Sequence, residues 1–406
     1  MNKGFLKKFT GDLLYGIVSL VFMNMVLSLV VYPFLNRQLG DAGQGRMLFF
    51  TSLMGLVASA AGSGINYGRM KASTKHQTEN GDYTWYLLAL AAVSCLVTIV
   101  GFAVKGSASG ATGIGVAVLI FATAVRYYAD VEYRLYMNYR GFFLYYMIIG
   151  VGYLGGMLLY RVTSSWVCIF LCGELAGLCF AACRGHIFKG NLWKRSPYFS
   201  EDAKICLSLS AAYLMSDFVS YTDRILLSVL SGDAQANYFY IASLVGKMTS
   251  LLSTPLNGVI TGHLSHYKGR FTAKMFGTVM AALLGLAAVI TAGSVVGSHL
   301  FVWLFYREQY PLVKDLFLLA NAGQVFFFLS NTMMVVVLRF ASERYQLLMG
   351  IIYTVLFFVI VVPAIYLYGL WGAAWGLLAV NVLKFFLIGA MGFFALKKGS
   401  GKEGEV

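Results

Sequence analysis

Hydrophobic residues run through this 406-residue chain in long blocks broken by short polar stretches. A helix needs ~20 predominantly apolar residues to cross ~30 Å of hydrocarbon. The blocks predict twelve such helices, at 12–35, 46–67, 84–104, 112–134, 142–160 and 165–183, then 205–230, 236–262, 275–303, 313–338, 346–367 and 371–395. The fourth is the least uniform, because its apolar run stops at Val125 and Arg126, Asp130, Glu132 and Arg134 follow. Composition leads to the same class. With 59% hydrophobic and 12% charged residues and a mean hydropathy of +0.73, the chain lacks the polar surface a soluble domain requires. The pattern predicts an all-α polytopic membrane protein.

The basic residues test this layout independently, since loops on the cytoplasmic side hold the excess of Lys and Arg. With the N-terminus inside, 21 of the 31 fall in cytoplasmic segments, 6 in outer loops and 4 within spans. Both termini are therefore expected on the cytoplasmic side of the cell's inner membrane. The net charge of +14 is scattered over short loops, which argues for topology and against nucleic-acid binding. Lys3, Lys7 and Lys8 precede an apolar run too long for a signal-peptide core, so that run is expected to stay as the first helix.

The longest connection falls between spans six and seven and is basic, with Pro197 and the pair Glu201 and Asp202. It divides the chain into a lobe of six helices at 1–183, a cytoplasmic linker at 184–204, a second six-helix lobe at 205–396 and a cytoplasmic tail at 397–406. Repeated bundles of this kind enclose a midplane cavity in many transporters. Small-residue pairs, Gly152 with Gly156 and Gly372 with Gly376, would allow close helix packing.

Several chemistries lack their residues. No Gly-rich loop ends in Gly-Lys-Ser/Thr, so ATP hydrolysis by that route is excluded. No D-x-D pair marks a metal-dependent glycosyltransferase, and no outer loop is long enough for a folded catalytic site. The chain reads as a non-enzyme without a cofactor. Cys168, Cys172, Cys179 and Cys183 share a helical face, but four thiolates on one helix cannot close a tetrahedron around a metal. His263 and His266 have no nearby carboxylates or thiols and read as interfacial residues.

The positive signal is charge inside the spans. A cation at the bilayer centre costs at least ~2.5 kcal/mol, so Arg126, Arg224, Lys247 and Lys384 each need a wet cavity, a partner or a ligand. Tyr213, Asp217, Ser220 and Arg224 recur at offsets that place them on one stripe of span seven, with Asp223 alongside. That stripe fits either a salt bridge from Asp217 or Asp223 to Arg224, or a cavity wall. Lys247 and Lys384 have no acidic residue in their own spans, and an anionic substrate would supply the missing counter-charge. Arg126 leads a ladder with Asp130 and Arg134 at four-residue steps. Glu174, alone in span six, is either a proton-coupling carboxylate or the partner of a buried lysine. Asn24, Asn321, Gln324, Asn331 and Asn381 fit cavity lining or interhelical hydrogen bonds.

Three stretches carry a resemblance. YPFLNRQLGDAGQG at 32–45 resembles the first outer loop of polysaccharide flippases in the multidrug, oligosaccharidyl-lipid and polysaccharide exporter superfamily. DRILLSVLSGDAQANYFYIASLVGKMTSLLSTPLNGVI at 223–260 is similar to that family's spans seven and eight, and YGLWGAAWG at 368–376 to the opening of its last helix. At Gly262-His263 the chain departs from the family, which commonly has a proline there. The resemblance implies a flippase for surface polysaccharide such as capsule or O-antigen, carrying a lipid-linked oligosaccharide on polyprenyl pyrophosphate across the membrane by alternating access. Its partners would be that substrate, membrane lipids and other polysaccharide-biosynthesis proteins. Arg224, Lys247 and Lys384 would then bind the pyrophosphate, with Arg126 and Arg46 near the cytoplasmic and outer entrances. Asp217, Asp223 and Glu174 would tune these cations or couple transport to an ion gradient. A multidrug or cation antiporter of the same superfamily is the nearer rival, and an integral membrane polymerase or ligase the more distant one.

Overall fold

The computed structural model describes residues 3–106, 110–250, 257, 260, 272–338, 340–341 and 344–401. The His263 and His266 pair and the Gly262-His263 helix end lie outside these. Among the described residues the chain is helical and without strands. The α-helices longer than ten residues among those described are α1 (Lys3–Met25), α2 (Tyr32–Ala72), α3 (Asn80–Lys105), α4 (Gly110–Leu135), α5 (Tyr139–Thr163), α6 (Trp166–Arg184), α7 (Phe199–Leu230), α8 (Asp233–Ser250), α9 (Ala273–Phe305), α10 (Phe317–Val337), α11 (Arg344–Leu356) and α12 (Val362–Gly401). Length and composition mark eight stretches among the described residues as able to cross a membrane. Two of these, Leu14–Ala72 with 59 residues and Leu348–Lys397 with 50, are far longer than one crossing needs and each holds a sharp kink. α7 is long enough at 32 residues, but Asp217, Asp223 and Arg224 lower its hydropathy.

The kinks have a local cause. Pro33 and Pro363 lack the N–H that would bond the carbonyl four residues back, and their rings crowd it. The preceding turns widen into π-helix, at Val26–Val31 and Phe357–Val361. The chain then breaks direction at Gly40 (φ 69°) and Gly369 (φ 53°), in a region where only glycine is unstrained. Residues 36–45, expected as the loop between the first two spans, are thus helical on both sides of the Gly40 kink. Beyond Gly369 the helix folds back so tightly that a methyl group on Gly372 would lie 1.8 Å from the Ala364 carbonyl oxygen.

The chain divides into two compact units, Met1–Ile225 and Leu226–Val406. In the first, α5 packs along α6, α2 along α4, and α4 also touches α3 and α6. α4, the least apolar span of the sequence, is an unbroken helix because its charged residues Arg126, Asp130 and Glu132 are buried among neighbours. The α5–α6 contact runs through small residues: a Cβ on Gly156 would meet the Ile169 Cα at 2.6 Å, whereas one on Gly155 would meet nothing within 4 Å. In the second unit α10 packs against α12, α8 and α9.

The segment between α6 and α7 is anchored throughout its length. Glu132 accepts from the backbone N–H groups of His186 (2.9 Å) and Ile187 (3.1 Å) and pairs with the His186 ring. Asn80 donates to the carbonyls of His186 (2.8 Å) and Lys189 (2.7 Å), and Asp82 accepts from the Ser196 N–H at 2.8 Å. The start of α7 is tied to the α2–α3 turn by Lys75–Glu201 (2.8 Å) and His76–Asp202 (3.1 Å).

Two outcomes follow from these contacts. Gly156→Ala forces backbone apart and should cost about 1–3 kcal/mol, lowering the melting temperature in detergent, while Gly155→Ala should leave it unchanged. The His76 pKa is raised, first by its hydrogen bond to the Gln77 carbonyl and then by Asp202. The ring's pairing with Asp202 is therefore fully present below the ordinary histidine value of about 6.5 and lost as pH rises through the raised value. Hydrogen exchange of residues 73–79 should accelerate across that window, and a His76→Gln protein should show no such step.

Candidate functional site

Two buried cations define the two units from inside. In the first, Arg126 on α4 is 6% exposed and its Nε lies 2.8 Å from Glu174 Oε2 on α6. The guanidinium also lies over the rings of Tyr127 (4.3 Å) and Tyr146 (5.8 Å). Glu174 in turn accepts from the Tyr153 hydroxyl at 2.9 Å. Its partner is thus Arg126, in place of the lysine the sequence offered. One turn along α4, Asp130 accepts from the Tyr146 hydroxyl at 3.0 Å and sits 3.6 Å from Arg134, whose guanidinium also bonds the Tyr67 hydroxyl. The expected ladder exists between Asp130 and Arg134, while Arg126 turns to α6.

The polar stripe of α7 runs beside this cluster along α2. Tyr213 stacks on Tyr67 with ring centroids 5.5 Å apart, and Asp217 hydrogen-bonds with Ser59. Asp223 is buried and accepts from the backbone N–H of Arg224 at 2.8 Å. Arg224 is partly buried and acts electrostatically on Tyr32 and Tyr221. Ser220, counted on the same stripe, is exposed. Asn24 donates to its own helix, at the Leu20 carbonyl (2.8 Å), and Arg46 donates to the Gly106 carbonyl at the end of α3 (3.0 Å).

In the second unit Lys384 on α12 is 8% exposed. Its Nζ donates to Asn331 Oδ1 at 2.9 Å and lies over the faces of Tyr353 (4.3 Å) and Phe327 (4.5 Å). Among the described residues no carboxylate lies within ion-pair distance. An ammonium has three donors and no acceptor, so this cage leaves capacity for an anion. Asn381 braces the cage: it accepts from the Tyr353 hydroxyl at 2.7 Å and donates to the Gly323 carbonyl at 2.9 Å. Lys247 on α8 lies over the Phe239 ring at 5.8 Å. Beside it, Asn321 is fully buried and clamps helices together, accepting from the Gly246 N–H (2.6 Å) and donating toward Phe317, Ser298 and Ala242. Gln324 is half-buried, with its Cβ 3.1 Å from where a methyl on Gly246 would sit.

Sequence reasoning named neither Tyr146 and Tyr153 nor Phe327 and Tyr353 as partners of the buried cations. Tyr146 and Tyr153 are seven apart on α5 and so share a face, and that spacing was the available signal. Tyr353 reaches Lys384 from a different helix, and no spacing within either helix announces it.

This architecture is found in solved transporters. The chain is similar to an inward-facing multidrug resistance MATE family transporter of the MOP superfamily, with a TM-score of 0.62 and 14% identity over 93% of this chain and 95% of that one. It is similar to the lipid II flippase MurJ in an inward closed conformation, with a TM-score of 0.66 and 13% identity over 96% and 87%. A third neighbour is a MOP superfamily transporter from Pyrococcus furiosus described as having a binding pocket of reverse polarity, with a TM-score of 0.58 and 14% identity over 95% and 96%. At these identities the likeness is one of fold. No protein-family model and no curated protein matches the sequence. The chain is an all-α polytopic membrane protein with a fold shared by MATE transporters and MurJ.

The Arg126–Glu174 pair makes a direct test of how unit one is held. Removing one partner of a buried pair costs about 3–5 kcal/mol, whereas replacing both by apolar residues of similar volume is often neutral. Glu174→Gln should lower the detergent melting temperature sharply, and the double change Arg126→Met with Glu174→Met should recover most of the loss.

Proposed function

We propose that this protein is a membrane transporter that moves an anionic, lipid-linked oligosaccharide across the cell membrane by alternating access, without enzymatic activity. The fold shared with the lipid II flippase MurJ supports the transporter part of this reading. The observation that carries the anionic cargo is Lys384, a buried ammonium held by two ring faces and one amide with no carboxylate among its described contacts. A cation so placed is stabilised when an anion arrives, and a polyprenyl pyrophosphate supplies that charge. In this reading Lys247, in the same unit as Lys384, serves the same head group, and Arg224 is the candidate substrate cation of the first unit. Arg126, neutralised by Glu174, contributes to the substrate path only if that pair opens. Arg46 caps α3 near the outer entrance. Asp217, Asp223 and Glu174 tune the cations or couple transport to an ion gradient.

A multidrug or cation antiporter is the second reading. The MATE neighbours favour it, and so does the acidic Asp217, only partly buried on the α7 stripe.

Lys384→Ala should abolish export of the surface polysaccharide while the protein persists in the membrane at wild-type level. The checks are surface polysaccharide by immunoblot and the variant's abundance in isolated membranes. Wild-type export would overturn the anionic-cargo reading, and loss of cationic-dye efflux with normal polysaccharide would favour the antiporter.

A further inference from the structure

The segment joining α6 to α7 is a folded shelf with an outward face that the transport reading leaves unused. Its inner side consumes the acids of the helix ends, as Glu132, Asp82 and Asp202 are buried and each is bonded to backbone or side chain. Its outer side carries the opposite charge. Arg184, Lys189, Lys194, Arg195 and Lys204 are exposed, against the half-buried Glu79, paired with Lys194 at 3.3 Å, and the exposed Glu201, paired with Lys75.

Aromatic rings are set among these cations. Trp193 is 64% exposed, stands edge-on to Trp85 at 5.9 Å and accepts the Trp85 indole N–H at its carbonyl (3.4 Å). The Arg195 guanidinium lies over Trp85 (4.3 Å) and Phe199 (4.8 Å), which fixes it in place without neutralising it. The shelf is bonded to residues at the start of α3 and the end of α4 and begins where α6 ends, so it lies at the ends of membrane-spanning helices. Exposed tryptophan with flanking cations at that level is the composition of a headgroup contact.

We propose that residues 184–199 form a docking surface for anionic lipid headgroups of the adjoining leaflet, with Trp193 seated at headgroup depth and Lys189, Lys194 and Arg195 facing the phosphates. The shelf is already bonded to the helix ends at His186, Ile187, Lys189 and Ser196, and the rings hold Arg195 in place.

The test uses the full chain in detergent micelles, titrated with spin-labelled phosphatidylglycerol or spin-labelled phosphatidylcholine. Trp193 fluorescence is taken as the difference between the wild-type protein and Trp193→Phe. Phosphatidylglycerol should quench Trp193 saturably and phosphatidylcholine weakly. Lys189→Gln with Lys194→Gln should reduce the apparent affinity for phosphatidylglycerol on the order of tenfold, with the melting temperature unchanged. Raising the salt should weaken the wild-type interaction without any substitution. Equal quenching by both lipids, or an affinity insensitive to salt and to the lysines, would overturn the proposal. Abolition of quenching by millimolar inorganic pyrophosphate would also overturn it, by assigning the surface to a soluble phosphate ligand.

Discussion

A charge surrounded by hydrocarbon must find its counterpart within the protein, and this constraint shapes the interior of both units. In the first unit the solution is an ion pair. Arg126 and Glu174 bind α4 to α6, Tyr153 and Tyr146 fill the remaining coordination from α5, and Asp130 with Arg134 repeats the arrangement one turn on. Three helices thereby acquire a common register that apolar packing alone would leave free to slide. In the second unit the solution is different in kind. Lys384 is held by ring quadrupoles and one amide oxygen, which soften the cost of burial and leave its positive charge unneutralised among the described residues. One arrangement closes an electrostatic account, and the other leaves it open among the described residues.

Much of the architecture was legible because hydrocarbon imposes a simple rule on sequence. Blocks of apolar residues, small-residue pairs and loop cations follow from the need to hide the backbone and span a fixed thickness. The Gly152 and Gly156 pair illustrates the rule, since its small faces meet Gly173 and Ile169 across the helix contact. Two features were less accessible. Residues 36–45, between the first two predicted spans, contain the polar run Asn36-Arg37-Gln38 and three glycines, which read as a loop, yet the turn uses only the Gly40 backbone and helix resumes on either side. The α6–α7 segment reads as a basic linker because its length and charge are visible, while its anchors Glu132, Asn80 and Asp82 lie on other elements.

The candidate site was partly legible for the same reason. A buried charge announces itself in any hydropathy profile, so Arg126, Arg224, Lys247 and Lys384 are found from sequence alone. The choice of partner does not follow, because pairing is decided by which faces of separate helices meet. Glu174 and Arg126 are 48 residues apart on α6 and α4. Tyr353 and Lys384 likewise come from different helices. Asn321 shows the converse: of the two readings a polar residue on an apolar helix allows, cavity lining or an interhelical hydrogen bond, the second holds, and its amide clamps α8 and α9 to α10.

The widened turn before Pro363 has a geometric consequence for the face that α11 and α12 bury. Tyr353, Phe357, Val361 and Ile365 are all buried and recur at every fourth residue. In a straight α-helix that spacing drifts by roughly 40° per step, so the last of the four would have rotated about 120° away from the first. The π turn at Phe357–Val361 winds less per residue and takes up part of that drift, and all four side chains stay buried. What the proline forces on the backbone therefore acts as a partial phase correction, and it helps a period of four stay on the buried side.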